Sequence, residues 1–312
     1  MKKLLQNKVA ESKLTMPITA LYAVGVWLLM GLSTGQWWTQ FACFAVTTYL
    51  MVELNNQNAL IRIYSRMVSS AFLGFMCAAC FLLPSLRGAF MQMCVVATYI
   101  MLFHSYQDRL ATGYTYYGFV CFGLASLAYA QILCFVPVIW LLMATNLLSL
   151  SWRTWGASLL GLLTPYWFWC CWLVYQEDFT PLVSHFLSLG DIQIPVNYAR
   201  VGMGFMLMLG LLIMSTVTGI VHYLRKSYND SIRIRLLFGF FIWMDLAAIL
   251  LVCLQPQLND LLLRLIIINT APLVAHFLAL TSTRATNAAF ITLTLLLLLL
   301  TAYNLWTSSY LF

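Results

Sequence analysis

The sequence contains very little charge. Only 8% of its 312 residues are Asp, Glu, Lys or Arg, whereas 62% are hydrophobic, and the mean hydropathy is +0.87. A soluble domain carries about 25% charged residues, so this chain cannot cover a water-exposed surface and a soluble globular protein is excluded. The net charge of +7 does not indicate nucleic-acid binding, because the basic residues are spread over separate loops.

The sequence also lacks the motifs of soluble enzymes. It has no glycine-rich phosphate loop, no H-E-x-x-H, no G-x-S-x-G and no pair of carboxylates in a loop. The predicted first outer loop, "STGQWW", has no acid, which argues against a lipid-carrier glycosyltransferase. No catalytic residue or cofactor is predicted. The histidines are too scattered for a metal site: His104, His185, His222 and His276.

The cysteines indicate packing rather than redox chemistry. All nine fall inside apolar runs, where a thiol behaves as a small hydrophobic group. Cys77 and Cys80 form a C-x-x-C, but they do so in the middle of a predicted membrane helix, without the charged, accessible surroundings of a redox or metal motif. No disulfide framework is predicted.

Long apolar runs are the dominant feature of the chain. A membrane-spanning helix needs about 20 predominantly apolar residues, and breaks at charges, prolines and polar clusters divide the chain into eleven such runs, with ten to twelve as the range. We therefore predict an all-α polytopic transmembrane bundle forming a single domain, 1–312. The predicted spans are 16–34, 37–53, 67–84, 89–105, 114–129, 131–149, 155–175, 199–223, 235–254, 260–280 and 287–306.

The basic residues predict the orientation of these spans. Positive loops stay in the cytoplasm, and a cytoplasmic amino terminus places thirteen of the 16 basic residues in inner loops. The carboxyl terminus would then lie outside, and no cleavable signal peptide is visible. The thirteen are Lys2, Lys3, Lys8, Lys13, Arg62, Arg66, Arg109, Arg153, Arg225, Lys226, Arg233, Arg235 and Arg284; Arg87, Arg200 and Arg264 remain.

The long outer segment, 176–198, contains a predicted amphipathic helix at 180–190. Thr180 can cap it, Pro181 suits its first position and Gly190 can end it. Its apolar residues, Leu182, Val183, Phe186 and Leu187, share one face, and Ser184, His185 and Ser188 share the other. Such a helix lies at the membrane surface, either as a connector or as a lid over an outward cavity.

Asp245 is the most informative polar residue. It lies near the middle of the ninth span, where a carboxylate is costly unless it is paired, protonated or hydrated. Arg264, in the tenth span, is predicted to lie about 4–5 Å away in depth and is the expected partner, with His276 as a second candidate. This group either relays protons or binds a polar headgroup, or it is a structural ion pair.

Other residues of the spans indicate packing. Pro272 interrupts the tenth span and frees a backbone carbonyl. Ser70, Gly74 and Ala78 recur at every fourth position, a stripe that lets a second helix approach closely. The run "TLTLLLLLLTAY" faces either lipid or a partner subunit.

The segment "ELNNQNALIRIYSR", 53–66, interrupts the membrane pattern on the predicted cytoplasmic side. Asn55 or Asn56 can cap a helix, from which Arg62 and Arg66 would project on one face. These arginines either anchor the third span at the membrane surface or contact lipid phosphate or a partner.

Three segments resemble an uncharacterised family of integral membrane proteins from Bacteroidota. They are the asparagine-rich turn, "FGLASLAYAQILCFVPVIWLL" at 122–142, and "SWRTWGASLLGLLTPYWFW" at 151–169. The most distinctive part is W-R-x-W followed by S-L-L-G-x-L-T-P-Y, at 152–166. Ala130 and Gln131 depart from the family's aromatic-proline turn. The resemblance implies the inner membrane of a diderm bacterium and no activity or catalytic residue.

Three functional classes fit the sequence. The first is transport or lipid handling in envelope biogenesis, which Asp245, Arg264 and Pro272 favour. The second is a non-catalytic structural or assembly subunit of a membrane complex, which the short loops and small-residue faces favour. The third and least favoured class is a membrane-embedded enzyme acting on a lipid-linked substrate. Membrane lipids are the expected partners in all three, and other membrane subunits are expected in the second.

Overall fold

The computed structural model describes residues 4–190 and 202–309, and within these ranges the chain is helical with no β-strand. The predicted all-α bundle is therefore confirmed. Predictions for Lys2, Lys3, Asp191, Arg200 and 310–312 fall outside the described residues. The helices are α1 Leu5–Glu11, α2 Thr15–Leu29, α3 Trp38–Asn58, α4 Met67–Ala78, α5 Leu86–His104, α6 Thr112–Ala128, α7 Val136–Thr145, α8 Trp152–Gln176, α9 Thr180–Leu187, α10 Met203–Lys226, α11 Ile232–Leu254, α12 Asn259–Leu280 and α13 Arg284–Ser309.

Six of the described helical segments are long and apolar enough to cross a membrane: those of α5, α8, α10, α11, α12 and α13. Helices α1 and α2 meet at 90° and could supply a seventh crossing as a bent pair. Helix α4, with 12 residues, and the Ala130–Thr145 segment containing α7 are shorter apolar helices. Each of the eleven predicted spans contains a helix, but the number of crossings stays a prediction.

Helix α12 lies at the centre of the bundle. It packs against α1, α4, α5, α10 and α11. In its most apolar stretch 94% of the residues are buried, compared with 17% in α13, which forms the outside of the bundle. A helix surrounded in this way must pair its polar side chains within the protein, because a buried polar group without a partner is costly.

Glycines allow the closest helix contacts. A Cβ at Gly161 in α8 would lie 3.0 Å from the Cβ of Phe119 and would collide with the backbone oxygen of Tyr116 in α6. A Cβ at Gly123 in α6 would lie 2.9 Å from the backbone oxygen of Leu162. The α6–α8 contact, the most extensive between any two helices described, therefore depends on small residues from both sides.

The predicted stripe of small residues on α4 packs as expected. Ala78 accepts a hydrogen bond from the side-chain nitrogen of Asn304 in α13, at 2.7 Å. A Cβ at Gly74 would meet a Leu297 methyl group at 3.4 Å. Ser70 is hydrogen-bonded to Thr19 in α2, at 3.3 Å. The stripe thus lets α2 and α13 approach α4.

The asparagine-rich turn differs from its prediction. Asn55 does not cap a new helix; α3 continues to Asn58 and ends at Ala59, which is left-handed with φ 48°. The Asn55 side-chain nitrogen donates to the backbone oxygen of Ser65, at 3.1 Å, and so closes the loop that follows. Residues 59–66 are not helical, because the left-handed Ala59 turns the chain, so Arg62 and Arg66 do not share a helix face.

The loops gather at two ends of the bundle. We call one end of the bundle the basic end. Direct contacts link the segments that lie there: α1 and the loops after α3, α5, α7, α10 and α12. These include Gln6 Nε2 to Leu278 O at 2.6 Å, Gln107 N to Leu147 O at 2.8 Å and Arg62 Nε to Asp230 Oδ1 at 2.9 Å. At the other end Gln40 donates to Pro84 O at 3.3 Å, and Gln131 to Ser188 O at 3.1 Å.

Substitution of Gly161 by Ala is expected to destabilise the protein. The added methyl group has no space against α6, and overpacking of this kind costs about 1–3 kcal/mol. The measurement is the thermal unfolding temperature of the purified protein in mild detergent. Gly156→Ala in the same helix is the matched control, since its Cβ would meet nothing within 4 Å and alanine favours the helix. Equal unfolding temperatures for the two variants would contradict the close α6–α8 contact.

Candidate functional site: a polar axis on a buried helix

Five polar residues of α12 and their partners form what we call the polar axis. These residues are Asp260, Arg264, Asn269, Thr270 and His276, and all but Asp260 are fully or almost fully buried. At 1.5 Å of rise per residue, Arg264, Thr270 and His276 lie about 9 Å apart from one to the next. They mark three levels along the bundle, each with its own set of partners.

The Arg264 level is an ion pair supported by neutral acceptors. Arg264 Nε lies 2.9 Å from Asp260 Oδ1, one helical turn away on α12. Its other nitrogens donate to Gln92 Oε1, at 3.0 Å, and to the backbone oxygen of Leu82. Because three acceptors satisfy the guanidinium group, it can remain charged although it is only 1% exposed.

Asp260 is held from its other side. Its Oδ2 accepts hydrogen bonds from Ser85, at 2.6 Å, and from the hydroxyl of Tyr129. A Cβ at Gly88 would collide with Arg264 Nε and Asp260 Oδ2, so only glycine permits α5 to lie against the pair. Tyr129 lies between α6 and α7, so Asp260 links α12 to that connection.

The Asp245 level has no basic partner among the described residues. Asp245 is completely buried between α10, α11 and α12. Its Oδ2 accepts hydrogen bonds from Thr216 at 2.8 Å and Thr270 at 3.0 Å, and the two threonine hydroxyls lie 2.8 Å apart. Within the described part of the chain, Asp245 Oδ1 has no hydrogen-bond partner.

The His276 level connects the interior to the basic end. His276 Nε2 lies 3.1 Å from Asp230 Oδ2, and Asp230 Oδ1 lies 2.9 Å from Arg62 Nε. Asp230 and His276 are buried side chains, whereas the Arg62 side chain is 39% exposed. A second histidine, His222, lies beside His276 with ring centroids 5.5 Å apart. The level is a chain of titratable groups that begins at the protein surface.

The predicted Asp245–Arg264 ion pair is wrong. Arg264 pairs with Asp260, because i and i+4 positions are neighbours on a helix. Asp245 instead lies level with Thr270, about 9 Å further along α12 than Arg264 by helical rise. His276, the second expected partner, pairs with Asp230. The three predicted site residues are buried on one axis but belong to three separate levels.

Arg62 and Arg66, the two predicted headgroup contacts, bind groups of the protein itself. Arg62 pairs with Asp230 and donates to the backbone oxygen of Asn229, at 3.2 Å. Arg66 donates to Asn56 Oδ1 and to the hydroxyl of Tyr64, both at 3.2 Å. Arg62 therefore joins two loops of the basic end, a structural role that does not need a lipid phosphate.

Several residues of the polar axis were not predicted from the sequence, and four of them illustrate why. The spacing of four residues between Asp260 and Arg264 is visible in the sequence. Asp260 was nevertheless not considered as a partner, because it lies at the end of a predicted span. Asp230 was assigned to a loop, although its side chain is only 1% exposed. Thr216 and Gln92 carry no sequence signal, because a single polar residue in a span does not reveal which helix it faces.

The described residues contain no group of three or more His, Cys, Asp or Glu side chains that could hold a metal ion. Cys77 and Cys80 are fully buried in the core, as predicted. The polar axis is therefore built from ion pairs, hydroxyl groups and imidazole rings.

The predicted surface helix forms as α9, and the structure shows which of its residues contact the bundle. Val183, Phe186 and Leu187 are exposed, while His185 turns toward α8. His185 Nε2 lies 3.3 Å from the Tyr166 hydroxyl, which is bonded to Ser126 at 2.8 Å. Phe186 also stacks on Tyr166, with ring centroids 5.3 Å apart. Residues of both predicted faces therefore contact α8, while Val183 and Leu187 are left for the surroundings. These contacts favour the connector over the lid.

Asp178, rather than Thr180, caps α9. Thr180 is already the first helical residue, and its backbone nitrogen donates to Asp178 Oδ1 at 2.9 Å. Hydrogen bonds from the Thr180 hydroxyl and backbone nitrogen lower the pKa of the exposed Asp178 carboxyl group, since both stabilise its charged form.

Comparison with known proteins finds no matching family model, no related curated protein and no similar solved structure. The resemblance to the Bacteroidota membrane family therefore stays a prediction.

Replacement of Arg264 by Met is expected to lower stability by about 3–5 kcal/mol, the cost of leaving a buried charge without its partner. The uncompensated group is Asp260, which is 22% exposed, so the lower part of this range applies. Thermal unfolding in detergent measures the effect. Arg225→Met removes an exposed arginine from the end of α10 and serves as the control. Equal unfolding temperatures would show that the Arg264 level is not structural.

Docking of α9 is expected to weaken below about pH 6.5. Burial lowers the pKa of His185 from its usual 6.5, so a detached α9 binds a proton more readily than a docked one. The docked position of α9 is fully stabilised above the pKa that His185 has in the detached state. This stabilisation decreases as the pH falls through 6.5 toward the lower pKa that His185 has in the docked state. The protection factors of the α9 amides at pH 7.5 and 5.5, which correct the exchange rates for their intrinsic dependence on pH, measure this change. His185→Phe should remove the pH dependence, and an unchanged pH response in that variant would contradict the assignment.

Proposed function

We propose that this chain is a proton-coupled membrane transport protein in which Asp245 takes up and releases the proton. The observation that carries the proposal is a fully buried carboxyl group held by two hydroxyl groups, with no basic partner in the described part of the chain. Ionisable groups inside membrane spans mark ion or proton pathways by default.

The contrast between the levels supports this role for Asp245. Asp260 and Asp230 each have a cationic partner, Arg264 and Arg62 respectively, and such pairs stabilise a fixed structure. Asp245 has only threonines, which can donate to a carboxylate or accept from a carboxylic acid. Its threonine partners can therefore form hydrogen bonds with either protonation state of Asp245, as a transport cycle requires.

Movement at this site would involve three helices. Thr216, Asp245 and Thr270 come from α10, α11 and α12, and Pro272 lies in α12 just beyond Thr270. Proline removes a helical hydrogen bond and permits a kink. An ionised Asp245 requires water or a cation and a neutral Asp245 does not, so protonation would favour different packings of these helices.

Protons would reach Asp245 from the basic end. His276 and Asp230 lead from the exposed Arg62 toward the interior. About 9 Å separates the His276 and Asp245 levels along the helix axis, a gap of about three hydrogen bonds that two water molecules could fill. Pro272 lies in the intervening part of α12.

The proposal includes a topology. Eleven crossings would place the loops of the basic end in the cytoplasm, with the amino terminus inside and the carboxyl terminus outside, because positive loops are retained there. The contacts among these loops support their lying on one side. The resemblance adds only the inner membrane of a diderm bacterium. A setting in envelope biogenesis, with a small molecule or lipid as the transported substrate, is part of the proposal itself.

The test is proton flux through protein reconstituted in liposomes that contain a pH-sensitive dye. A potassium diffusion potential drives the flux, with and without an extract of small molecules and lipids from the expression host. Asp245→Asn should reduce the flux to that of protein-free liposomes while leaving thermal stability unchanged or raised, because asparagine keeps the acceptor oxygen and removes a buried ionisable group.

The matched control is Asp108→Asn, which removes an exposed acid from the loop after α5 and should leave the flux unchanged. Wild-type flux in Asp245→Asn would overturn the role of Asp245. Wild-type protein that conducts no more than empty liposomes, with and without the extract, would overturn proton-coupled transport.

A non-catalytic subunit of a membrane complex is the second candidate, and the surface of α13 favours it. Leu295, Leu296, Leu298 and Leu299 are all exposed on this helix, a continuous apolar surface that either lipid or another subunit could cover. Purification of tagged protein in mild detergent, followed by mass spectrometry, separates the candidates. A stoichiometric partner would favour the subunit, and its absence would favour the transporter.

A further inference from the structure

A cavity of about 620 Å³ lies on the side of the bundle away from α8 and α9, between α1, α2, α4, α12 and α13. Its wall is mostly apolar and includes Phe75, Leu278, Phe290 and Leu297. Ile18, Thr294 and Leu298 line it and are themselves exposed, so the cavity opens at the outer surface of the bundle. Its volume is within the range of about 300–1,000 Å³ for small-molecule sites.

One end of the cavity is polar and basic. Lys8, Ser12 and Thr15 line it where α1 meets α2, and Lys8 is exposed. Lys8 is the only charged residue in the described lining, so no acid neutralises this mouth from within the cavity. A ligand that fits the whole cavity therefore has a long apolar part and a negatively charged end.

Helix α1 is fixed in the position that presents Lys8. The Gln6 side-chain nitrogen donates to Leu278 O and to Thr281 Oγ1, both at 2.6 Å, and Asn7 donates to Thr281 O at 3.0 Å. The 90° bend between α1 and α2 then carries α1 across the basic end of the cavity. The lysine is thus placed at the mouth by a folded segment rather than by a loose terminus.

We propose that this cavity binds one acyl chain of an anionic phospholipid, with its phosphate at Lys8. The site is separate from the polar axis and does not depend on the proposed transport function. Within a membrane an acyl chain gains little hydrophobic free energy by leaving the bilayer. The acyl chain therefore contributes by fitting the shape of the cavity. The charge of Lys8 provides the selectivity, because a lysine near the surface attracts anionic headgroups.

The test is native mass spectrometry of protein released from nanodiscs that contain equal amounts of phosphatidylglycerol and phosphatidylcholine. Wild-type protein should retain phosphatidylglycerol in preference to phosphatidylcholine. Lys8→Gln should reduce this preference by about fivefold, the effect of one basic residue near an anionic surface. Lys13→Gln removes the same charge from an exposed residue outside the cavity lining and should leave the preference unchanged.

A second pair of variants tests the cavity itself. Thr294→Trp places a large side chain in the cavity from the exposed side of α13 and should reduce the bound lipid of both types. Thr292→Trp, two residues away and outside the lining, is its matched control. Equal lipid retention by these two variants, or an unchanged preference in Lys8→Gln, would overturn the proposal.

Discussion

Helix α12 is enclosed on all sides by other helices, and its polar side chains must therefore be paired inside the protein. An unpaired charge or amide in such a place would cost several kcal/mol. Successive polar residues of α12 face different neighbours because the helix turns by 100° per residue. Arg264 meets α5 and the turn before it, Thr270 meets α10 and α11, and His276 meets the loop before α11. Much of the bundle is organised around these pairings.

The pairings divide into fixed and adjustable ones. At the Arg264 and His276 levels a carboxylate lies against a cationic or imidazole group, and neighbouring loops contribute further hydrogen bonds. Asp245 has hydroxyl partners whose hydrogen atoms can be rearranged. Within the same buried surroundings, Asp245 therefore differs from Asp260 and Asp230 in the chemistry of its partners. This difference is the reason for placing a function at Asp245 rather than at Asp260 or Asp230.

Sequence reasoning singled out three residues that lie on the polar axis, but it gave Asp245 and Arg264 the wrong partners. Asp245, Arg264 and His276 stood out because charge is rare inside apolar runs, and all three are buried. Their pairing was inferred from depth alone, whereas a pair also requires that two helices turn the two side chains toward each other. The rotation of α11 about its axis directs Asp245 to Thr216 and Thr270, and no property of the linear sequence reports that rotation. The residues of α9 that contact α8, with Tyr166 as their main partner, were likewise not visible in the sequence.

By itself the sequence determined the solvent of this protein, the helical class and the approximate position of each helix, because apolar composition and run length are local properties governed by transfer from water to lipid. It also indicated which loops carry positive charge. The tertiary structure alone decided which helix is central, which polar groups meet and where a cavity opens beside Lys8. Those features depend on contacts between residues far apart in the chain, such as Arg264 with Gln92 and Gln6 with Leu278, and such contacts follow from packing geometry rather than from local composition.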